Sequence, residues 1–267
     1  VAGTLCNLSC THCFVPSGPG IERHALMPRD TVRAHVAEAL ALGAKEFYFT
    51  GGEPFVNPAL LDILADTLAL APCTVLTNGT LFTQHRLAAL RTMTDASRHA
   101  LEIRVSLDGS DAASHDAFRG EGSFERTLAG LRACEAHGLL PIVTVTRSTG
   151  EEPLAFRARY FDLLRATGIA RPRLKVLPMF RLGREAERHG GYAPGETLAG
   201  VEAAALDDAH LQCGSCRAVT SRGVFVCPLL VDEPAARLGA TFGESRGAFE
   251  LRHGACLTCY VSGMTCA

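Results

Sequence analysis

The sequence lacks the segments that would place it in a membrane or direct it out of the cell. No stretch approaches the roughly 20 apolar residues of a membrane-spanning helix, and the N-terminus has no basic stretch followed by an apolar core. The charge is nearly balanced, because 26 basic and 28 acidic side chains give a formal net charge of −2. The composition therefore indicates neither a nucleic-acid nor a membrane partner, and we expect a cytoplasmic protein.

The sequence is also poor in lysine, which occurs only as Lys45 and Lys175. Arginine carries nearly all of the positive charge and alanine is abundant, a bias that we attribute to genome composition. The rest of the composition is typical of a globular protein, since 47% of the 267 residues are hydrophobic and 20% are charged. We expect one large domain, with or without a small second one.

Eleven cysteines are present, and they concentrate at the two ends of the chain. Disulfide frameworks are typical of small secreted domains, whereas this chain is large and lacks an export sequence, so the clustering favours metal binding. Cys73 and Cys134 stand alone in apolar runs and are predicted to be buried core residues. Cys6, Cys10 and Cys13 lie within eight residues of one another, and no fourth cysteine follows before Cys73.

Short β-rich runs alternate with segments of helical period, which predicts βα units around a parallel sheet. Right-handed crossovers would curl six strands and five helices into a partial (β/α)6 barrel of the TIM type, with its active face at the carboxyl ends of the strands. The predicted helices lie near residues 28–43, 58–68, 83–91, 123–137 and 153–167. The predicted strands lie near residues 1–5, 46–50, 73–78, 101–107, 141–146 and 173–178.

The alternation stops after residue 178, so residues 1–178 are predicted to form the barrel domain. We expect residues 179–212 to be a linker with a helical piece near 196–206, and residues 213–267 to form a small cysteine-rich domain. Two Cys-x2-Cys pairs in this tail would by themselves suggest a zinc ribbon. The six tail cysteines are Cys213, Cys216, Cys227, Cys256, Cys259 and Cys266.

The loop "CNLSCTHC" (6–13) follows the first predicted strand. Soft thiolates select zinc or iron–sulfur clusters over hard cations. A zinc ion would complete its four ligands with His12 or with a remote residue. A cubane cluster held by three cysteines would instead leave one iron open to a substrate or cofactor. The spacing alone leaves both alternatives open.

The Cys-x3-Cys-x2-Cys loop after the first strand of a βα barrel resembles the signature of the radical S-adenosylmethionine (SAM) enzymes. The resemblance implies that Cys6, Cys10 and Cys13 hold a catalytic [4Fe–4S] cluster whose open iron binds SAM. One electron, from a donor such as flavodoxin or ferredoxin, would cleave SAM to a 5′-deoxyadenosyl radical that abstracts hydrogen from the substrate. The family often has an aromatic residue before the third cysteine; His12 occupies this position and is expected near the adenine.

Two further segments resemble the SAM pocket of the same family. In "TGGEP" (50–54), the resemblance implies that Gly51, Gly52 and Glu53 position the amino group of SAM; the alternative is an ordinary strand-to-helix turn. In "LTNG" (76–79), it places Asn78 near SAM or the substrate, and an Asn-Gly turn is the alternative explanation.

The stretch "VSLDG" (105–109), followed by "HDAFRGEGSFE" (115–125), resembles a region of family members that carry iron–sulfur tails. The resemblance makes Ser106 and Asp108 candidates for contacts with the ribose or the substrate, and Arg119 a candidate for binding an anionic group. Each of these residues could instead cap or support the following helix.

The tail resembles the auxiliary-cluster domains of this family, called SPASM or, in a shorter form, twitch domains. Residues 216–228 resemble their first half, a hairpin between two cysteines, and residues 256–266 resemble their second half. Six cysteines suffice for one fully cysteine-ligated [4Fe–4S] cluster but not for two. The implied ligands of one auxiliary cluster are Cys227, Cys256, Cys259 and one or both of Cys213 and Cys216, with Cys266 serving that cluster or a second.

The sequence therefore predicts a radical SAM enzyme with a SPASM/twitch-type tail. Its expected substrate is a ribosomal peptide that is modified by crosslinking, epimerisation or oxidation. One alternative is a dehydrogenase or rearrangement enzyme that acts on a small molecule. A second is a non-catalytic scaffold that binds zinc through both groups of cysteines.

Overall fold

A computed structural model describes residues 3–147 and 150–263 of the chain. The chain divides into two compact units, each with its own sheet. The first unit comprises Val1–Cys10 and Ser17–Val176, and the second comprises Thr11–Pro16 and Leu177–Ala267.

The first unit is built on a five-stranded sheet in which neighbours along the chain are also neighbours in the sheet. The first four strands pair in parallel, with Phe49 opposite Val75 and Val75 opposite Ile103. Side chains of residues paired in this way lie on the same face of the sheet, and Phe49, Val75 and Ile103 are all apolar and buried. The strands are β1 (Phe47–Phe49), β2 (Cys73–Thr77), β3 (Leu101–Ser106), β4 (Ile142–Arg147) and β5 (Arg173–Pro178).

Helices connect these strands and bury apolar residues at helical spacing. The helix of residues Leu60–Leu68, for example, buries Leu60, Ile63 and Leu64 and packs against its two neighbouring helices and β2. The helices of the first unit are α1 (Arg29–Ala41), α2 (Leu60–Leu68), α3 (Gln84–Ala96), α4 (Ala112–Arg119), α5 (Ser123–Ala136) and α6 (Pro153–Ala166). No helix in the described ranges has both the length and the apolar character that a membrane span requires.

The first predicted strand does not join the sheet. Residues 1–2 lie outside the described part of the chain, and Gly3 has a φ of +57°, a left-handed conformation that interrupts an extended strand. Leu5 forms an isolated bridge with Gly18. The backbone N–H of Cys6 then donates to the carbonyl oxygen of Gly18 at 3.2 Å, so the segment before the cysteine loop pairs with the segment that follows it.

Helix α4 is absent from the prediction because it is only eight residues long and therefore shows little helical periodicity. Its start depends on Asp111, whose side chain accepts a hydrogen bond from the N–H of Ser114 at 2.8 Å. It ends at Gly120, with Arg119 in its last turn. This helix is the element that carries Arg119 to the carboxyl edge of the sheet.

The second unit has its own apolar core, which includes Phe180, Leu198, Phe225 and Leu230. The hairpin implied between Cys216 and Cys227 is present, and a third strand joins it in an antiparallel sheet. The elements of this unit are α7 (Gly183–His189), β6 (Ala218–Thr220), β7 (Gly223–Phe225), β8 (Arg237–Gly239) and α8 (Gly254–Ser262).

An α-helical piece is predicted near residues 196–206, but the structure, which describes all of these residues, has no α-helix there. Gly200 has a φ of +82°, which no α-helix accommodates, and only a short 3-10 turn forms at Ala203–Ala205. The helix of this region is α7, which lies before the predicted position.

Candidate active site

The first two cysteines of the loop lie beside nitrogen donors of the first unit. The Sγ of Cys6 is buried and accepts hydrogen bonds from the backbone N–H of Leu8 at 3.4 Å and from Nδ2 of Asn78 at 3.9 Å. Nη1 of Arg119 lies 4.0 Å from the Sγ of Cys10. N–H donors and a positive charge favour a thiolate, which is the form of cysteine that binds metals.

The third cysteine and its neighbour belong to the second unit. The Sγ of Cys13 donates to the carbonyl oxygen of Val15 at 2.9 Å, and the carbonyl oxygen of Cys13 accepts from the N–H of Arg184 at 3.0 Å. His12 is buried, and its ring meets that of Phe14 edge-on with 6.4 Å between centroids. Its contact with the adenine of SAM stays a prediction.

The glycine pair after β1 lies against the start of the cysteine loop. Gly51 is exposed, whereas a Cβ on Gly52 would lie 2.2 Å from the carbonyl oxygen of Leu5 and 2.9 Å from the Cβ of Cys6. The N–H of Glu53 donates to that same Leu5 oxygen at 3.0 Å. The absence of a side chain at Gly52 thus lets the two backbones approach closely enough to hold Cys6 in place.

Replacing Gly52 by alanine is expected to displace the cysteine loop, because a backbone oxygen and a short side chain cannot move aside as a flexible side chain would. On the expectation that the loop holds a cluster that cleaves SAM, the Gly52→Ala variant should lose most of the 5′-deoxyadenosine released per iron bound. Gly195→Ala is the matched control, because nothing lies within 4 Å of a Cβ at that position. Equal activity of the two variants would contradict this role of Gly52.

The carboxylate of Glu53 is fully buried and makes its hydrogen bonds within the chain. Oε1 accepts from the N–H of Phe55 at 3.0 Å and from the hydroxyl of Thr77 at 2.8 Å, and Oε2 accepts from the N–H of Asn78 at 2.7 Å. Burial raises the pKa of Glu53, and these hydrogen bonds together with the charge of Arg119 partly oppose that increase. The side chain therefore joins the loop after β1 to the end of β2.

The side chain of Asn78 does more than form an Asn-Gly turn. Its Nδ2 donates to Oδ1 of Asn7 at 2.9 Å, and its Oδ1 accepts from the hydroxyl of Thr80 at 2.7 Å. Nδ2 of Asn7 in turn donates to Oγ1 of Thr80 at 2.9 Å. Sequence reasoning missed Asn7 and Thr80, and the one indication of their role is that each is a polar residue within two positions of a predicted site residue.

Asp108 and Arg119, predicted as separate binding residues, form an ion pair in which Asp108 is buried and Arg119 is partly buried. Nη2 of Arg119 lies 2.5 Å from Oδ2 of Asp108, and the other carboxylate oxygen accepts from the N–H of Thr146 at 2.9 Å. The loop after β3 is thereby joined to α4 and to β4, which is the supporting role that the sequence left open. Ser106 is the last residue of β3 and is half-buried.

The described tail cysteines all line one apolar pocket of the second unit. Burial raises the pKa of the Cys256 thiol, and the neighbouring Cys213 raises it further. Apolar side chains, among them Leu211, Val226 and Phe249, complete the wall. Cys266 lies outside the described residues. The cysteines of the pocket are Cys213, Cys216, Cys227, Cys256 and Cys259.

The number and grouping of the cysteines indicate which kind of metal centre they could hold, a single ion or an iron–sulfur cluster. The residues described by the structure contain no group of three or more His, Cys, Asp or Glu side chains that could hold a single metal ion. A four-iron cube spreads its ligands, because each cysteine binds a different iron. Three cysteines in one loop, and five around one apolar pocket, are soft thiolate donor sets of the kind that bind iron–sulfur clusters.

Comparison with curated proteins finds relatives of several activities. The AdoMet-dependent heme synthase of Methanosarcina barkeri is 35% identical over 128 residues, which are 47% of this chain and 35% of that protein. The subtilosin biosynthesis protein AlbA of Bacillus subtilis is 31% identical over 143 residues, 53% of this chain and 31% of AlbA. The GTP 3′,8-cyclase of Mycolicibacterium smegmatis is 34% identical over 145 residues, 51% of this chain and 38% of the cyclase. The chain thus spans about a third of these relatives' lengths.

Comparison with solved structures shows the fold. The structure of anSMEcpe with bound AdoMet matches with a TM-score of 0.63 at 16% identity, and the match covers 91% of this chain and 78% of that one. Streptococcus suis SuiB bound to its precursor peptide SuiA matches with a TM-score of 0.53 at 17% identity, covering 72% of this chain and 41% of SuiB. These matches confirm the α/β fold with a partial barrel.

The sequence model described as "Radical SAM superfamily" matches residues 1–151. This range contains all three cysteines of the first loop, the Gly-Gly-Glu segment and the Asp108–Arg119 pair, and it is more than half of the chain. A [4Fe–4S] cluster and SAM, the cofactors expected from the sequence, are characteristic of this family. On this evidence the chain belongs to the radical SAM superfamily.

Proposed function

We propose that this chain cleaves SAM reductively at a [4Fe–4S] cluster held by Cys6, Cys10 and Cys13 and uses the resulting radical to modify a ribosomal peptide. The observation that carries the cleavage proposal is the three-cysteine loop within the matched family region, with nitrogen donors beside the sulfurs of Cys6 and Cys10. When bound, the cluster and SAM supply a 5′-deoxyadenosyl radical. Flavodoxin or ferredoxin is the proposed class of electron donor.

The residues of the chain would bind and orient SAM around this cluster. Because both carboxylate oxygens of Glu53 accept hydrogen bonds within the chain, the backbone carbonyl groups of residues 50–53 are the acceptors that we assign to the SAM amino group. Ser106, at the end of β3, presents a half-buried hydroxyl at the same edge of the sheet for the ribose or the substrate.

A peptide substrate is supported by the relatives. AlbA is named for the biosynthesis of a bacteriocin, and the structures of SuiB and anSMEcpe include peptide-bound forms. The likeness to anSMEcpe extends over 91% of this chain, so the matched region reaches into the second unit. We assign the pocket of the second unit to one auxiliary cluster that accepts an electron from the oxidised peptide or binds the peptide directly.

The test is anaerobic reconstitution, followed by reduction with dithionite in the presence of SAM and synthetic peptides encoded by short reading frames next to the gene. We expect brown protein, release of 5′-deoxyadenosine, and a peptide that loses hydrogen by crosslinking or oxidation, or incorporates solvent deuterium at an epimerised centre. Cleavage of SAM with no change in any peptide would overturn the peptide proposal alone. Colourless protein with stoichiometric zinc would overturn the enzyme proposal and indicate the zinc scaffold.

A small-molecule substrate is the second candidate. It is favoured by the heme synthase and the GTP cyclase, which are as similar to this chain as AlbA is. GTP serves as a direct probe in the same assay. Conversion of GTP with no peptide product would favour this candidate over peptide modification.

Replacing Cys227, Cys256 and Cys259 together by serine is expected to remove about half of the bound iron, because the three tail cysteines that remain are too few for a four-iron cluster with four cysteine ligands. The matched control is Cys134→Ala, since Cys134 is also buried but burial raises its pKa to about 12 and no other described cysteine shares its site. Iron and sulfide analysis of both variants is the measurement. Full iron content in the variant that lacks Cys227, Cys256 and Cys259 would contradict the assignment of the pocket.

A further inference from the structure

The side chain of Asn78 reaches the first cysteine from a strand far along the chain. Asn78 directly follows β2, and its Nδ2 lies 3.9 Å from the Sγ of Cys6, which also accepts from the N–H of Leu8 at 3.4 Å. Asn78 and Cys6 are both buried. In a site of low dielectric constant, an N–H group directed at a sulfur has a larger electrostatic effect than it would have in water.

The hydrogen bonds around Asn78 determine which end of its amide faces the sulfur. Its Oδ1 accepts from both the N–H and the hydroxyl of Thr80, at 3.0 and 2.7 Å, and Nδ2 donates to Asn7. A flipped amide would direct its NH2 group at the Thr80 N–H and its oxygen at the sulfur, so the network specifies the orientation. The main chain is held as well, since the N–H of Asn78 donates to Glu53.

We propose that Asn78 is a positioning residue that orients Cys6 and raises the reduction potential of the [4Fe–4S] cluster held by the three-cysteine loop. The inference rests on the proposed cluster at that loop. Reduction adds one electron to the cluster and increases the negative charge on its sulfur ligands. An N–H donor stabilises the reduced form more than the oxidised form, so its presence favours the state from which SAM is cleaved.

Two substitutions remove the donor in different ways. Asn78→Asp keeps an oxygen for Thr80 but places a carboxylate oxygen beside the sulfur, whereas Asn78→Leu removes both polar atoms at similar size. Thr80→Val is the matched control, because it breaks the ring of hydrogen bonds but leaves the Asn78 NH2 group directed at Cys6. If Asn78→Asp or Asn78→Leu fails to bind a cluster, Asn78→Ser is measured in its place.

The measurement is a potentiometric titration of the holoprotein followed by electron paramagnetic resonance, using the spectrum that changes when SAM is added to identify the relevant cluster. At a fixed solution potential, we expect the ratio of reduced to oxidised cluster to fall at least tenfold in Asn78→Asp, a shift of about 59 mV to more negative potential. Asn78→Leu and Asn78→Ser are expected to shift in the same direction by less, and Thr80→Val to stay within threefold of the wild type.

An unchanged potential in the Asn78 variants would overturn the inference, as would a shift in Thr80→Val equal to that in Asn78→Asp, because the effect would then come from the order of the loop. Failure of the proposed function has a different outcome, in which the wild-type protein itself shows no spectrum that responds to SAM.

Discussion

Simultaneous replacement of Cys6, Cys10 and Cys13 by alanine is expected to abolish the release of 5′-deoxyadenosine and to leave iron bound in the second unit. The loop supplies all three protein ligands of the proposed catalytic cluster, and the cysteines of the first unit outside the loop, Cys73 and Cys134, are buried in its core. The described tail cysteines line one pocket within the second unit, so the proposed auxiliary cluster does not require the loop as a ligand source. The two readouts are chromatography of the SAM products and iron analysis of the purified protein.

The matched control for this variant replaces the remaining two cysteines of the first unit, Cys73 and Cys134, by alanine. Both are buried, and burial raises the pKa of each thiol to about 12, so they are expected to remain protonated side chains of the core. We expect the control to keep its clusters and its SAM cleavage. Cleavage that persists in the triple variant would show that the catalytic cluster is bound elsewhere, and complete loss of iron would contradict an independent auxiliary cluster.

The parallel sheet could be predicted because its information is local. Each of β1 to β5 is a short segment rich in apolar or β-branched residues that coincides closely with a predicted strand, and the long connections favour parallel pairing. The elements that were missed depend on single residues. A left-handed Gly3 removes the first strand from the sheet, and the short helix α4 depends on the capping side chain of Asp111.

The sequence predicts a candidate site where the chemistry lies within one short segment, as in the three-cysteine loop. The partners of these residues are not predicted, because they are distant in sequence. Asn7 and Asn78 form a hydrogen bond across 71 positions, and nothing in either local sequence specifies the other. The same holds for the tail, where Cys213 and Cys256 line one pocket only after the hairpin and α8 have packed around it.

Replacing Glu53 by alanine is expected to lower the free energy of unfolding of the first unit by about 2 to 4 kcal/mol, because buried donors left without an acceptor cost about 1–3 kcal/mol each. The donors in question are the N–H groups of Phe55 and Asn78 and the hydroxyl of Thr77, all in buried residues. Removal of a buried carboxylate offsets part of this cost. Urea unfolding at pH 7, followed by circular dichroism, measures the difference.

The effect of pH distinguishes Glu53 from an exposed carboxylate that also accepts backbone hydrogen bonds. Because burial raises the pKa of Glu53 above its ordinary value of 4.5, the folded state binds this proton more tightly than the unfolded state. The stabilisation that Glu53 provides is therefore complete below pH 4.5 and decreases as the pH rises through the folded-state pKa.

Glu152 is the exposed carboxylate for comparison. It caps α6 and accepts hydrogen bonds from the N–H groups of Leu154 and Ala155, which lower its pKa, so the stabilisation that it provides is lost as the pH falls. Unfolding of Glu53→Ala and Glu152→Ala between pH 4 and about pH 8 should show differences from wild type that change in opposite directions; parallel changes would contradict the burial of an ionisable Glu53.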